Sequence, residues 1–298
     1  MNDEVDALAR DALRRYDIQV ADCTFAAEAF NTVFRVDAAN GSRYALRVGS
    51  LLRIHMDGCE ELEAAWVNEL HAAGLPVAPV VPARDGSLVV DVDGRRCLLF
   101  EWVPGRRLHD DPTPALVHAT GAALAAVHEH AARHRIERPA GALVPDRALY
   151  LRADNRLEEL RPVYGTVLDD ACARVQGVFD ALWRDPPHSP HLLHGDVQPK
   201  NVIADRGRVT LIDFQDLLWG FEIVDVVIAL RHDTQEPDAF RAGYETVRRW
   251  PDAAPETVAA LTAARYLNVL NLGLSVRKAG LDEFVARIAE PVVAWMAG

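Results

Sequence analysis

The chain has 298 residues, half of them apolar, and a formal net charge of −12. That length suffices for a large domain or for two lobes sharing a cleft. An acidic balance spread over both halves argues against nucleic acid or anionic membranes as partners. No run of roughly 18 apolar residues occurs, so no membrane span is expected. The acidic start Met1-Asn2-Asp3-Glu4 lacks the charged-then-apolar pattern of a secretion signal. Cys23, Cys59, Cys97 and Cys172 are scattered without C-x-x-C spacing, which predicts reduced, part-buried thiols in a cytoplasmic protein. Lysine occurs only at Lys200 and Lys278, so any cation needed in the first two-thirds must be Arg or His.

Residues 3–16 read as an amphipathic helix with Val5, Leu8, Ala9, Ala12 and Leu13 on one stripe. Strand-like runs follow near 18–25, 31–37 and 43–48, the last two joined through Asn40-Gly41, a strong hairpin-turn signal. A helix is predicted over 59–73, ending at Gly74, since Leu75-Pro76 cannot continue it. Two strands, 87–92 and 95–102, flank the turn Asp93-Gly94. After Val103-Pro104-Gly105 the pattern turns helical: about 113–133, 146–160, 164–184, 222–231, 237–249, 255–278 and 281–296. Short strands are expected only at 201–204 and 208–212, with 186–191 a proline-rich loop. The fold class is therefore α+β and bilobal. A β-rich lobe over residues 1–102 is followed by a mainly helical lobe over 103–298, and the cleft between them is the default ligand site.

The chemistry concentrates in His194-Gly195-Asp196-Val197-Gln198-Pro199-Lys200-Asn201, followed by an apolar run ending in Ile212-Asp213-Phe214. An Asp, an Asn five residues on and a second Asp, converging from neighbouring loops, suit ATP-dependent phosphoryl transfer. One carboxylate receives the acceptor hydroxyl and the other two groups hold magnesium. The string H-G-D-x-x-x-x-N followed by I-D-F resembles the catalytic loop and metal-binding motif of the kinase-like small-molecule phosphotransferases, the aminoglycoside phosphotransferase and choline kinase family. Lobe order, motif order and spacing extend the resemblance over nearly the whole chain.

The resemblance implies a protein-kinase-like fold and a role for each matching residue. Asp196 would position the attacking hydroxyl and accept its proton. Asn201 and Asp213 would hold Mg2+, whose preference for a few hard oxygen ligands they meet. His194 would pin the loop, and Asp225 would reach back to its backbone amides. The phosphate-binding cation on the third strand is lysine in most such sites; here Arg47 stands in its place, a chemically reasonable exchange because guanidinium binds phosphate bidentately. Its carboxylate partner is expected to be Glu63, which projects within the apolar face of Leu62, Trp66, Val67 and Leu70 and so needs a counter-charge. Asn31 and Thr32 would offer amides to phosphate, although the turn 26–33 contains no glycine. Glu101 and Val103 would present backbone groups to a purine, adenine or guanine. The sequence departs from the family's habit at Gln198 and Lys200, where His and Gly are common.

From Asp213 to Asp225 there are only a dozen residues, too few for the activation segment of a protein kinase, and no A-P-E follows. The implied enzyme is an ATP- or GTP-dependent phosphotransferase acting on a hydroxyl of a small molecule, as a monomer or homodimer. An aminoglycoside-type antibiotic, and with it antibiotic resistance, is the first expectation. It rests on acidic residues such as Asp216, Glu222, Asp233, Glu236, Asp238 and Glu245, with Asp216, Trp219 and Glu222 as acceptor-binding candidates. Phe221 and Tyr244 are further pocket candidates. Amino sugars, homoserine or hydroxylysine, choline and macrolides would use the same catalytic parts, and a non-catalytic nucleotide-binding pseudokinase is the alternative of a different class.

Overall fold

A computed structural model describes residues 3–28, 30–134, 137–151, 154–231, 236–276 and 279–298. Helix α1 (Asp3–Leu13) is followed by strands β1 (Val20–Glu28), β2 (Thr32–Ala38) and β3 (Arg43–Val48). Then come α2 (Cys59–Ala72), β4 (Val90–Val92) and β5 (Arg95–Glu101). The five strands form one antiparallel sheet in the order β1-β2-β3-β5-β4. The stripe Leu8, Ala9, Ala12, Leu13 of α1 is buried against Phe34, Val36, Leu46 and Leu99 of the sheet. Gly41 closes the β2–β3 hairpin at φ 85°, a left-handed conformation that glycine adopts without steric cost.

The second half holds β6 (Arg106–Arg107), α3 (Pro114–Arg133), the short α4 (Arg161–Tyr164), α5 (Val167–Arg184) and β7 (His191–Leu193). It continues with β8 (Val202–Asp205), β9 (Arg208–Leu211), β10 (Leu218–Gly220), α6 (Glu222–Arg231) and α7 (Pro237–Glu245). It ends with α8 (Pro255–Val276) and α9 (Leu281–Ala297). α3 begins as its sequence requires, with Thr113 accepting the Leu116 amide and Pro114 at the first helical position. The largest apolar cluster joins α5, α6, α8 and α9. A second carries Trp66 and Leu70 of α2 onto Val127 of α3, Leu211 and Phe214, and so seats the small lobe on the segment that carries Asp213. The fold is thus α+β and two-lobed. No described helix is long and apolar enough to cross a membrane, and the four cysteines are free.

Three local expectations fail. The segment predicted as a helix over 146–160 is largely irregular where described, with only a 3-10 turn at Leu157–Leu160. Two asparagines of α8 take its backbone instead. Asn268 accepts the Leu151 amide and donates to the Ala148 carbonyl, and Asn271 accepts the Arg156 amide. Second, the proline-rich loop gives way at His191 to β7, which pairs antiparallel with β10. Both strands are only three residues long and wholly buried, so neither shows the alternation that marks a half-exposed strand. Third, α7 stops at Glu245 rather than 249. The predicted end of α8 at 278 lies outside the described residues.

α3 and α7 touch at paired glycines. A Cβ on Gly121 would stand 2.0 Å from the Phe240 carbonyl oxygen, and one on Gly243 would stand 1.9 Å from that of His118. Gly243→Ala is therefore expected to lower stability by about 1–3 kcal/mol. Gly177→Ala, in α5 with nothing within 4 Å, should be neutral or stabilising by up to about 1 kcal/mol. Urea denaturation of the two variants checks the contrast.

Candidate active site

β7 runs without a break into the loop His194–Lys200. Gly195 turns that loop at φ 83°, and a Cβ there would lie 1.8 Å from the Asp216 carbonyl oxygen, so only glycine lets the two loops touch. The wholly buried Asp225 of α6 holds the loop from below. One carboxylate oxygen accepts the Gly195 amide at 2.8 Å; the other accepts the His194 amide at 2.8 Å and His128 Nε2 at 3.0 Å. Burial alone would raise the Asp225 pKa, but the His128 hydrogen bond and the nearby imidazoles lower it. His194 contributes through a fixed tautomer. Its Nε2–H donates to the Ile212 carbonyl at 3.1 Å, while Nδ1 accepts the Asp196 amide at 3.3 Å.

Asp196 is 8% exposed and surrounded by donors. Asn201 Nδ2 donates to its side chain at 2.8 Å and to its carbonyl at 2.9 Å. Gln198 Nε2 and Arg265 Nη2 both lie against Oδ1. Burial pushes the Asp196 pKa up, Arg265 opposes that, and the charge of Asp216 adds to it. Asp216 goes the other way. Burial works against its charge, but a 2.8 Å contact with His55 and the guanidinium of Arg265 hold it well below the usual carboxylate range. Two neighbouring carboxylates are thus driven apart: one stays a charged structural partner and the other is left more basic, the direction that suits a proton acceptor.

The small lobe supplies the opposite wall. Arg47 of β3 and Glu63 of α2 form a two-pronged ion pair with Nη1 to Oε1 at 2.9 Å, Glu63 being fully buried. The same guanidinium lies 3.5 Å from Asp213. Asp213 adopts φ 65°, a left-handed conformation rare outside glycine, and its side chain is 45% exposed. Because Asn201 points Nδ2 at Asp196, its amide oxygen faces the other way. That oxygen and the open carboxylate of Asp213 are hard donors of the kind magnesium takes, and their small number leaves room for waters and phosphate oxygens, so the residues fit the ion.

Asn31 lies at the mouth of the same cleft. Its Nδ2 donates to Gln215 at 2.7 Å and its Oδ1 accepts the Ser50 amide, while Thr32 opens β2 in register with Val48. The glycine-free turn is therefore tied to the loop after Asp213 by a side chain. At the end of β5, the Trp102 amide bonds the Arg43 carbonyl of β3, so by strand alternation Glu101 and Val103 turn their backbone groups away from β3.

Two acceptor-site expectations are corrected. Trp219 is 9% exposed and packs in the apolar cluster around Trp66 and Phe214. Glu222 is 2% exposed, and Arg248, His188 and His191 surround its carboxylate. Neither presents a surface to an acceptor. Phe221 and Tyr244, also considered as pocket residues, are core. The site residues missed from sequence are Arg265, His55 and the donor role of Gln198. A signal for Arg265 existed: it interrupts the apolar run Ala260-Leu261-Thr262-Ala263-Ala264 on a helix whose face is buried.

With this geometry in hand, the sequence over residues 23–261 matches the phosphotransferase enzyme family (APH). The chain belongs to that family. It is 28% identical over 194 residues to a homoserine kinase of Xanthobacter autotrophicus, a match covering 61% of this chain and 58% of that protein. The match thus spans less than two-thirds of the relative's length. Among solved structures, an amicoumacin kinase in complex with AMP-PNP and Ca2+ superposes with a TM-score of 0.78 at 22% identity, over 99% of this chain and 96% of the other. A microcompartment-associated aminopropanol kinase gives 0.74 at 23% identity, over 98% and 95%.

Arg47→Ala would strand Glu63 as an uncompensated buried charge and should cost about 3–5 kcal/mol. The double variant Arg47→Met/Glu63→Leu should recover most of that loss while remaining inactive; chemical denaturation and a turnover assay measure both. His55 gives a pH signature. Burial lowers its pKa, but the hydrogen bond to Asp216 and the charge of that carboxylate together outweigh this and raise it above 6.5. A raised folded pKa stabilises fully below 6.5 and is lost as pH rises through the folded value. Relative to His55→Gln, the wild-type melting temperature should therefore fall more steeply from about pH 6 to 9.

Proposed function

We propose that this chain transfers the γ-phosphoryl group of ATP to a hydroxyl of a small, compact amine-bearing acceptor. On this reading residues 1–102 hold the nucleotide and residues 103–298 supply the catalytic loop and the acceptor site. The observation that carries the proposal is the convergence of Asp196, Asn201 and Asp213 opposite the Arg47–Glu63 pair. Asp196 orients the hydroxyl and takes its proton as the new oxygen–phosphorus bond forms and the bond to the β-phosphate oxygen breaks, releasing ADP. Arg47, held by Glu63, binds the nucleotide phosphates. Asn201 and Asp213 would hold magnesium, which would supply neutralising charge to the phosphate oxygens. Asn31 and Thr32 would cover the phosphates, and the Glu101 carbonyl and Val103 amide would meet the edge of the purine, adenine or guanine.

The acceptor reading favours a hydroxy amino acid or amino alcohol over an aminoglycoside. A polycation needs uncompensated carboxylates. Here Asp196 and Asp216 already share Arg265, Asp216 also holds His55, and Glu222 is buried with Arg248. Of the other acidic residues invoked for an aminoglycoside, Glu236, Asp238 and Glu245 belong to α7 or its start, and Asp233 lies outside the described residues. The names of two of the similar proteins, a homoserine kinase and an aminopropanol kinase, support a small hydroxylated amine.

The test is a coupled ADP-release assay of the full chain with magnesium, ATP and GTP run separately, over homoserine, aminopropanol, amino sugars and aminoglycosides. Acceptor-dependent turnover with one of the first two is expected. Asp196→Asn should lower it roughly 10²–10⁴-fold while nucleotide affinity stays unchanged. Intact nucleotide binding with no turnover on any acceptor would favour a non-catalytic regulator.

A further inference from the structure

Beside His128, the imidazole that bonds Asp225, lies a second cluster that the phosphotransfer reading does not use. His188 and His191, spaced H-x-x-H, approach Glu222 at the start of α6, and one ligand atom from each lies within 4.8 Å of the others. His188 Nε2 lies against Glu222 Oε2, and His191 Nε2 is 3.3 Å from Oε1. Nitrogen and oxygen donors on a tetrahedral zinc ion lie roughly 3.3 Å apart. The Nδ1 atoms of both rings face the Ser189 carbonyl, at 2.9 and 3.4 Å. A carbonyl can only accept, so each ring carries a proton on Nδ1, and in its neutral form turns the Nε2 lone pair toward Glu222. A metal-ligating histidine is commonly oriented this way.

His191 Nε2 is buried and completes no hydrogen bond, and Glu222 Oε2, equally buried, has only the His188 ring beside it, on residues only 3% and 2% exposed. Arg248 Nη2 holds Glu222 Oε1 at 2.5 Å and so orients the carboxylate with Oε2 toward His188. The same arginine also pairs with Glu129. His128 faces the cluster from α3, but its own nitrogens bond Asp225 and Tyr244. Burial holds the His191 pKa down at about 4, so that ring is neutral. The Glu222 hydrogen bond raises that of His188, which makes a proton the metal's natural competitor. His188, with a side chain 34% exposed, leaves a path from solvent.

We propose that His188, His191 and Glu222 form a site for one divalent transition metal ion, zinc by its two-imidazole, one-carboxylate ligand set, separate from the Asn201–Asp213 magnesium pair. The ion clamps the segment entering β7 onto the start of α6, and so braces the loop that carries Asp196 from outside the cleft. The inference stands on this cluster alone and does not depend on the acceptor.

The full chain, stripped of metal with a chelator, is titrated with Zn2+ against a chromophoric competitor in excess Mg2+, and separately with Co2+ followed by its visible spectrum. One equivalent of zinc, an intense tetrahedral cobalt band and a melting temperature that rises with zinc are expected. His188→Gln, at a part-exposed position, should fold normally without metal, lose the cobalt band and bind zinc at least tenfold more weakly. Asp213→Asn should bind zinc as the wild type does. Absence of stoichiometric zinc, with only a titrating imidazolium at His188, would overturn the proposal. So would zinc binding as tight in His188→Gln as in the wild type, or binding that disappears in Asp213→Asn.

Discussion

The rest of the site depends on one buried carboxylate. Asp225 accepts two backbone amides of the catalytic loop and one imidazole, and that imidazole is bonded in turn to Tyr244. A buried carboxylate is stable only with such compensation. Here the compensation joins α6, α3, α7 and the loop at one point, because His128 comes from α3 and Tyr244 from α7. The loop conformation that follows is tight enough to exclude any side chain at residue 195, and it presents Asp196 and Asn201 on the cleft side. The glycine pair between α3 and α7 serves the same end, by bringing the two helices close enough for His128 and Tyr244 to meet.

Charge compensation governs the cleft as well. Lysine is nearly absent from this chain, and its work falls to guanidinium. Arg47 is the cation of the small lobe and Arg265 that of the large lobe, each paired with carboxylates it cannot lose without leaving a buried charge. Arg265 ties Asp196 to Asp216, and His55 ties Asp216 back to the small lobe. The carboxylates of Asp196 and Asp216 are thereby largely compensated within the chain.

What could be read from sequence follows from how far each interaction reaches. The strands and hairpin of the small sheet were legible because Asn40-Gly41 and the apolar alternation of β2 and β3 are local signals. Glu63 was legible as a partner for Arg47 because helical periodicity placed a carboxylate on an apolar face. The segment 146–160 was misread because its backbone is organised by Asn268 and Asn271, more than a hundred residues away. Arg265, 69 residues from Asp196, was missed for the same reason, although a lone arginine in an apolar helix was there to be noticed. Acidic and aromatic character alone does not tell a pocket residue from a core one: β10 carries Trp219 into the core, and Glu222 opens α6 buried with Arg248.

The central claim is a covalent one, that a phosphate ester forms on an acceptor hydroxyl. Phosphorus NMR of the full chain incubated with ATP, magnesium and homoserine or an amino alcohol tests it most directly. The account predicts a new phosphomonoester resonance growing in step with ADP, and its absence when acceptor is withheld. ADP accompanied only by inorganic phosphate, or no change in ATP with any hydroxylated acceptor, would contradict it.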